Sequence, residues 1–123
     1  IVIRRGTASA AVAVMEQGTE HLKAGTSVFI FPEGTRTKDG NIHRYKDGAF
    51  RLAQENGVAI APCVMLGTKG LFKGRRLNTR RLVIRVLDPI PAEEVKVTPA
   101  RELAERVKEA SVEALSKLKV ESF

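Results

Sequence analysis

The sequence predicts an α/β fold, a mainly parallel sheet with helices packed on its faces. Short, wholly apolar runs ("IVI", "SVFIF", "VAIAPCVML") alternate with segments whose apolar residues recur at helical spacing, giving the order β, α, β, α, β. The links are short, so each crossover is expected to return right-handed to the same sheet, with any ligand crevice at the carboxyl ends of the strands. A chain of 123 residues that is 43% hydrophobic can bury one core, and no segment repeats.

Residues 1–4 read as a buried strand. The alanine-rich stretch that follows, with Ala11, Val12, Val14, Met15 and Leu22, predicts a helix from about 8 to 24 ending at Gly25. "SVFIF" is β-branched and aromatic, as expected of a strand covered on both faces, and it stops at Pro32. "KDGAFRLAQENG" predicts a helix with Ala49, Phe50 and Ala53 as its stripe and Gly57 as its stop; "VAIAPCVML" is the next strand. Residues 66–80 read as a loop, and "RLVIRVLD" as a strand broken at Pro89 and Pro91. Thr98 and Pro99 predict a helix start, with a hydroxyl at the cap. The last helix carries Leu103, Val107, Ala110, Ala114 and Leu118 on one face and is expected to pack on the sheet.

The formal charge of +7 is concentrated: Lys69, Lys73, Arg75, Arg76, Arg80, Arg81 and Arg85 share a stretch without acids. The lone Cys63 excludes an internal disulfide and is expected in the core. No apolar run approaches the ~20 residues of a membrane-spanning helix, and no segment reads as a signal peptide. The chain begins with Ile1 in mid-strand, so it is expected to be the later portion of a longer domain.

"PEGTRT", residues 32–37, carries the chemistry. Gly34 permits a sharp turn with free N–H groups, Thr35 and Thr37 add hydroxyls, and Arg36 offers a planar fork matched to phosphate oxygens. A carboxylate repels phosphate, so Glu33 either orients Arg36 or accepts a hydrogen bond from a substrate hydroxyl. "IRRG" ends the preceding strand of the same series, which would bring Arg5 to the same rim.

In these residues the chain resembles the 1-acylglycerol-3-phosphate O-acyltransferases, the lysophosphatidic acid acyltransferases of phospholipid biosynthesis. "FPEGTRT" is similar to their third signature block, "IVIRRG" to the second and "VAIAPCVMLGT" to the fourth, in the right order over residues 1–68. The departures are Val2, where phenylalanine is usual, and Cys63, where Val or Ile is commoner. The resemblance implies a glycerol-phosphate acyltransferase-like fold, with residues 1–123 as the C-terminal portion of a single acyltransferase domain. It implies transfer of a fatty acyl group from acyl-CoA or acyl-carrier protein to 1-acyl-sn-glycerol 3-phosphate (lysophosphatidic acid), giving phosphatidic acid without a further cofactor or metal. Arg5, Glu33, Gly34, Thr35 and Arg36 match the residues that hold the glycerol phosphate, and Pro62 matches the fourth-block proline of an apolar part of the site.

The family's catalytic His-x4-Asp block, in which histidine takes the hydroxyl proton and aspartate holds the imidazole, is absent. His43 has Asp47 four positions on rather than five, and His21 has Thr26 at the required place; His43 is read as a surface loop residue and His21 as part of a polar helix face. The isolated chain is therefore expected to be inactive.

The basic stretch suits anionic lipid headgroups, at about 1 kcal/mol per basic residue, besides the coenzyme A phosphates or an acidic carrier protein. The favoured partner is an anionic membrane surface, which puts the chain peripherally on the cytoplasmic face of a membrane, with any anchor upstream. A nucleic-acid partner is disfavoured because only Phe72 interleaves with the bases. A non-catalytic phosphate- or phospholipid-binding module stays open as the alternative.

Overall fold

Apolar segments this short need partners from elsewhere in the chain, and most of the cover here is helical. The structure is a computed structural model that describes residues 8–33, 41–67, 72–73, 76–77 and 81–122. Its elements are α1 (Ala8–Lys23), α2 (Asp47–Asn56), β1 (Cys63–Leu66), β2 (Phe72–Lys73), β3 (Arg76–Leu77), β4 (Val83–Val86), α3 (Ala92–Val97) and α4 (Ala100–Ser122).

Helix α1 matches its expected span and closes at Gly25. Ala11 and Val12 are exposed and Val14, Met15 and Leu22 only half-buried, whereas Gly18 is buried. A Cβ at Gly18 would meet Leu52 Cδ2 at 2.7 Å, so the missing side chain is what lets α1 and α2 approach. Helix α2 ends at Gly57, whose left-handed φ of 58° turns its N–H back onto the Ala53 and Gln54 carbonyls. It buries Phe50 and Ala53 as expected, and also Leu52, which serves the α1 contact rather than the main core.

The two later strands pair with each other. β1 lies antiparallel to β4, from Cys63 opposite Val86 to Leu66 opposite Val83. The pairing continues through Leu87 N–H to Pro62 O at 2.8 Å and through the Ile60–Ile90 bridge. The segment read as a loop contains the antiparallel β2–β3 pair, Phe72 opposite Leu77 and Lys73 opposite Arg76. Every strand pair among the described residues is antiparallel, and no parallel pair is seen there. The strand expected at 1–4 lies outside the described residues. "SVFIF" has no ladder among them, and Phe29 and Phe31 are 66% and 61% exposed, so it is not covered on both faces. Val28 and Ile30 are half-buried. One face of the segment packs, and the other shows an edge-to-face Phe29–Phe31 pair with centroids 5.2 Å apart.

Helix α3 was not expected. Its signals were Pro91 at the N-cap and Glu93 and Glu94 in the first turn, where carboxylates favour the helix dipole. Thr98 consequently does not cap α4; its hydroxyl donates to Glu94 O at 2.7 Å and closes α3 instead. The first acceptor of the next helix is Pro99 O, bonded by Leu103 N–H at 3.0 Å. Gln54 Nε2 donates to Thr98 O (2.6 Å) and Val95 O (3.3 Å), fastening α2 to the α3–α4 corner.

Helix α4 packs against α2 and β1, as its amphipathic pattern required. Its buried stripe is Leu103, Ala104, Val107, Ser111 and Leu118, while Ala110 is exposed and Ala114 half-buried. Leu103, Ala104 and Val107 join Tyr45, Phe50, Ala53, Ile90 and Val95 in the core. Cys63 is half-buried at the core's edge, its thiol donating to Ala61 O. Leu103→Ala is expected to cost about 2–5 kcal/mol, a cavity penalty at a fully buried site, whereas Val120→Ala, at 81% exposure, costs under about 0.5 kcal/mol. Urea denaturation of the two variants checks this; equal losses would contradict the packing.

Candidate functional site

Pro32 and Lys46 bracket the loop that begins with Glu33. The Lys46 N–H donates to Pro32 O at 2.8 Å, so the two ends of the segment 33–45 are held together. Lys46 is also the N-cap residue of α2, with extended dihedrals of −80° and 141°, so helix start and loop base are one residue. Arg5, Gly34, Thr35 and Arg36 lie outside the described residues.

Glu33 is half-buried at this base. Burial pushes its carboxyl above the usual value of 4.5, and the neighbouring His43 partly offsets that rise. His43 is exposed, as read from sequence, and the carboxyl whose titration it influences is that of Glu33. Asp47, its sequence partner in the tempting near-match to the catalytic block, opens α2.

Tyr45 sits beside them with only 7% of its surface exposed, its ring stacked on Phe50 at 6.3 Å and 20°. Its phenol is pushed up by burial and by the Glu33 charge, and a hydrogen bond with the Ser111 hydroxyl on α4 opposes the shift. No buried side-chain polar atom lacks a partner among the described residues. Tyr45, buried and stacked on Phe50, thus joins the end of the loop to the core and, through Ser111, to α4. Sequence reasoning missed Tyr45 and Ser111. The available signal was a serine four residues after Val107, where the apolar stripe demands a core residue.

Pro62 is buried one residue before β1, and its carbonyl accepts the Leu87 N–H. In the basic stretch, Arg81 is exposed, but Arg85 is taken: it pairs with Glu121 near the end of α4 and holds that carboxyl below its usual value. Among the described residues there is no cluster of three metal-ligating side chains, and no helix is long and apolar enough to cross a membrane.

The family model described as Acyltransferase matches residues 1–66. The chain is 37% identical over 111 residues to the sheep protein named 1-acyl-sn-glycerol-3-phosphate acyltransferase alpha, covering 88% of this chain and 39% of that one. It is 43% identical over 68 residues to the chloroplastic 1-acyl-sn-glycerol-3-phosphate acyltransferase LPAT1 of Arabidopsis thaliana, covering 55% of this chain and 19% of that one. The crystal structure of the 1-acyl-sn-glycerophosphate (LPA) acyltransferase PlsC from Thermotoga maritima superposes with a TM-score of 0.73 at 26% identity, over 85% of this chain and 44% of that one. The chain therefore spans less than half the length of these relatives, and the fold likeness bears out the acyltransferase-type α/β class.

A raised carboxyl pKa means that the folded state binds the Glu33 proton more tightly than the unfolded chain does. Stability is then lost as pH rises from the unfolded value through the folded one. Glu33→Gln is expected to raise Tm at pH 7, with the gain disappearing at pH 4 and below. Thermal unfolding of both proteins across this range checks the sign; a variant less stable than the parent at pH 7 would contradict it.

Proposed function

The chain belongs to the acyltransferase family, and from that premise we propose that it holds the phosphate of 1-acyl-sn-glycerol 3-phosphate while the free hydroxyl of that lipid takes a fatty acyl group from a thioester. The donor is acyl-CoA or acyl-carrier protein and the product phosphatidic acid. In this reading the hydroxyl oxygen attacks the thioester carbonyl, its proton passes to a base, and the carrier leaves as its thiol. The family's base is the histidine of a His-x4-Asp block, and neither His21 nor His43 meets that spacing.

The work assigned to this chain is binding and positioning. Arg5 and Arg36 neutralise the phosphate, Arg36 through its planar fork, while the Gly34 turn and the Thr35 hydroxyl supply further donors. Glu33, at the fastened base of the loop, orients Arg36 or accepts a hydrogen bond from the glycerol hydroxyl. Pro62 stands at the fourth-block position, which in the family belongs to an apolar part of the site. Holding the acceptor in attacking geometry lowers the barrier by replacing a random encounter with an ordered one.

The observation that carries the reading is that the family match over residues 1–66 contains the "FPEGTRT" loop, the one whose ends are closed by Pro32 and Lys46. Because the acceptor is a lipid, the reading also places the protein at an anionic membrane surface, peripherally and on the cytoplasmic face, with bases of the stretch from Lys69 to Arg85 toward the headgroups. Arg85, already paired with Glu121, contributes less than the others.

Replacing Arg36 by Ala in the complete natural protein, assayed with oleoyl-CoA and lysophosphatidate, tests the assignment. Loss of hydrogen bonds to a charged group is worth about 1.5–3 kcal/mol, so kcat/KM for the acceptor should fall about ten- to 150-fold. Unchanged acceptor kinetics would show that Arg36 faces solvent.

A further inference from the structure

We propose that the outward face of the β1–β4 pair is a docking surface that seats the protein on an anionic lipid bilayer. The inference rests on the membrane-surface reading above for its partner and adds the apolar half of the contact. Successive side chains of a strand point to opposite sides. On β4, Arg85 turns to the side that α4 covers, where it pairs with Glu121, and its cross-strand neighbour Val64 is buried. Ile84 and Val86 point the other way and are 55% and 65% exposed; Leu82, two residues before Ile84, is 42% exposed. Across the pair, Met65 stands opposite Ile84 and Cys63 opposite Val86, both half-buried, so they widen the same face. Singly exposed aliphatic residues are ordinary, whereas a continuous apolar strip marks a contact surface.

Charge identifies the partner, because the register of the pair sorts the ionised groups by end. Gly67 follows β1 and lies so close to Arg81, just before β4, that a Cβ on Gly67 would run into the Arg81 carbonyl. The chain between them therefore leaves and returns at the Leu66–Val83 end of the pair. In sequence it carries Lys69, Lys73, Arg75, Arg76 and Arg80 without an acid, and Arg81 itself is exposed. The next acid, Asp88, comes only after the opposite, Cys63–Val86 end. Bases at one end of an apolar strip, with no carboxylate between, match the layering of an anionic bilayer, where negative headgroups lie directly above acyl chains. An acidic protein surface would answer the bases and leave the strip in water.

The test uses the 123-residue chain, which contains no Trp, so Ile84→Trp places a single reporter on the strip. Its emission should be that of a solvent-exposed indole in buffer, move to the blue on phosphatidylcholine vesicles containing phosphatidylglycerol, and be quenched when their acyl chains are brominated. Co-sedimentation with the same vesicles gives the partition coefficient of variants whose folding circular dichroism checks. Ile84→Ser with Val86→Ser should lower it about tenfold at low and at high salt, since apolar burial is not screened. Arg81→Gln should lower it about fivefold at low salt and little at high salt. Val120→Ser, at a still more exposed aliphatic on α4, should leave it unchanged. If the parent binds and the double-serine variant binds equally well, the inference is wrong and the bases alone hold the membrane. A parent that does not bind overturns both the inference and the membrane-surface reading. Binding without bromolipid quenching shows that the strip faces away from the bilayer and overturns the inference. So does a reporter already shielded in buffer, or a parent that is dimeric where the double-serine variant is monomeric, since either assigns the face to a protein contact. The vesicles contain no lysophosphatidate, so the phosphate-loop reading is decided separately by Arg36→Ala.

Discussion

The bond from Lys46 N–H to Pro32 O is the constraint on which the candidate site depends. A segment of thirteen residues, 33–45, leaves and returns at that bond, and without closure its ends would be free to separate. The N-cap residue of a helix carries a backbone N–H with no partner inside the helix, so using it to hold the loop satisfies a donor and fixes geometry together. The helix that starts there buries Phe50 and Ala53 in the core one turn later, so the loop base inherits the stability of the core.

Helix α4 supplies the backing. Its stripe from Leu103 to Leu118 covers α2 and β1, and Ser111 within that stripe reaches Tyr45 beside the loop base. Its outward-facing pairs, Arg101–Glu105 and Lys117–Glu113, are exposed and add little. The longer-range ties matter more for shape. Arg106 meets Glu94 of α3 at 2.8 Å, Gln54 of α2 reaches the carbonyls of Val95 and Thr98, and Arg85 of β4 pairs with Glu121. Together they fix the angle at which α4 leaves the α3 corner, and hence where Ser111 falls.

Local chemistry made some of this fold legible and tertiary context withheld the rest. Helices α1 and α2 followed from apolar spacing and glycine stops, and α4 from apolar spacing, because those signals are properties of the helix itself. Thr98 misled because a hydroxyl before a proline reads as a cap, yet the turn of α3 just upstream offered Glu94 O at 2.7 Å. The β1–β4 pairing was hidden, since a short apolar strand carries no mark of its partner's direction. "SVFIF" read as buried because of its composition, and only the structure shows Phe29 and Phe31 facing outward. Of the candidate site, Glu33 and Pro62 were readable from motif; Tyr45 and Ser111 were not, because they lie 66 residues apart and are joined only by folding. The comparison with relatives agrees with the motif reading, matching the region that contains those blocks.

Backbone amide hydrogen exchange at Lys46 is the most direct test of the closed loop base. The account requires protection of at least about a hundredfold over an unstructured peptide, close to that of the neighbouring α2 amides, because opening this bond means detaching the loop from the core. Exchange at the unprotected rate, with α2 and α4 still protected, would show that the loop base is open.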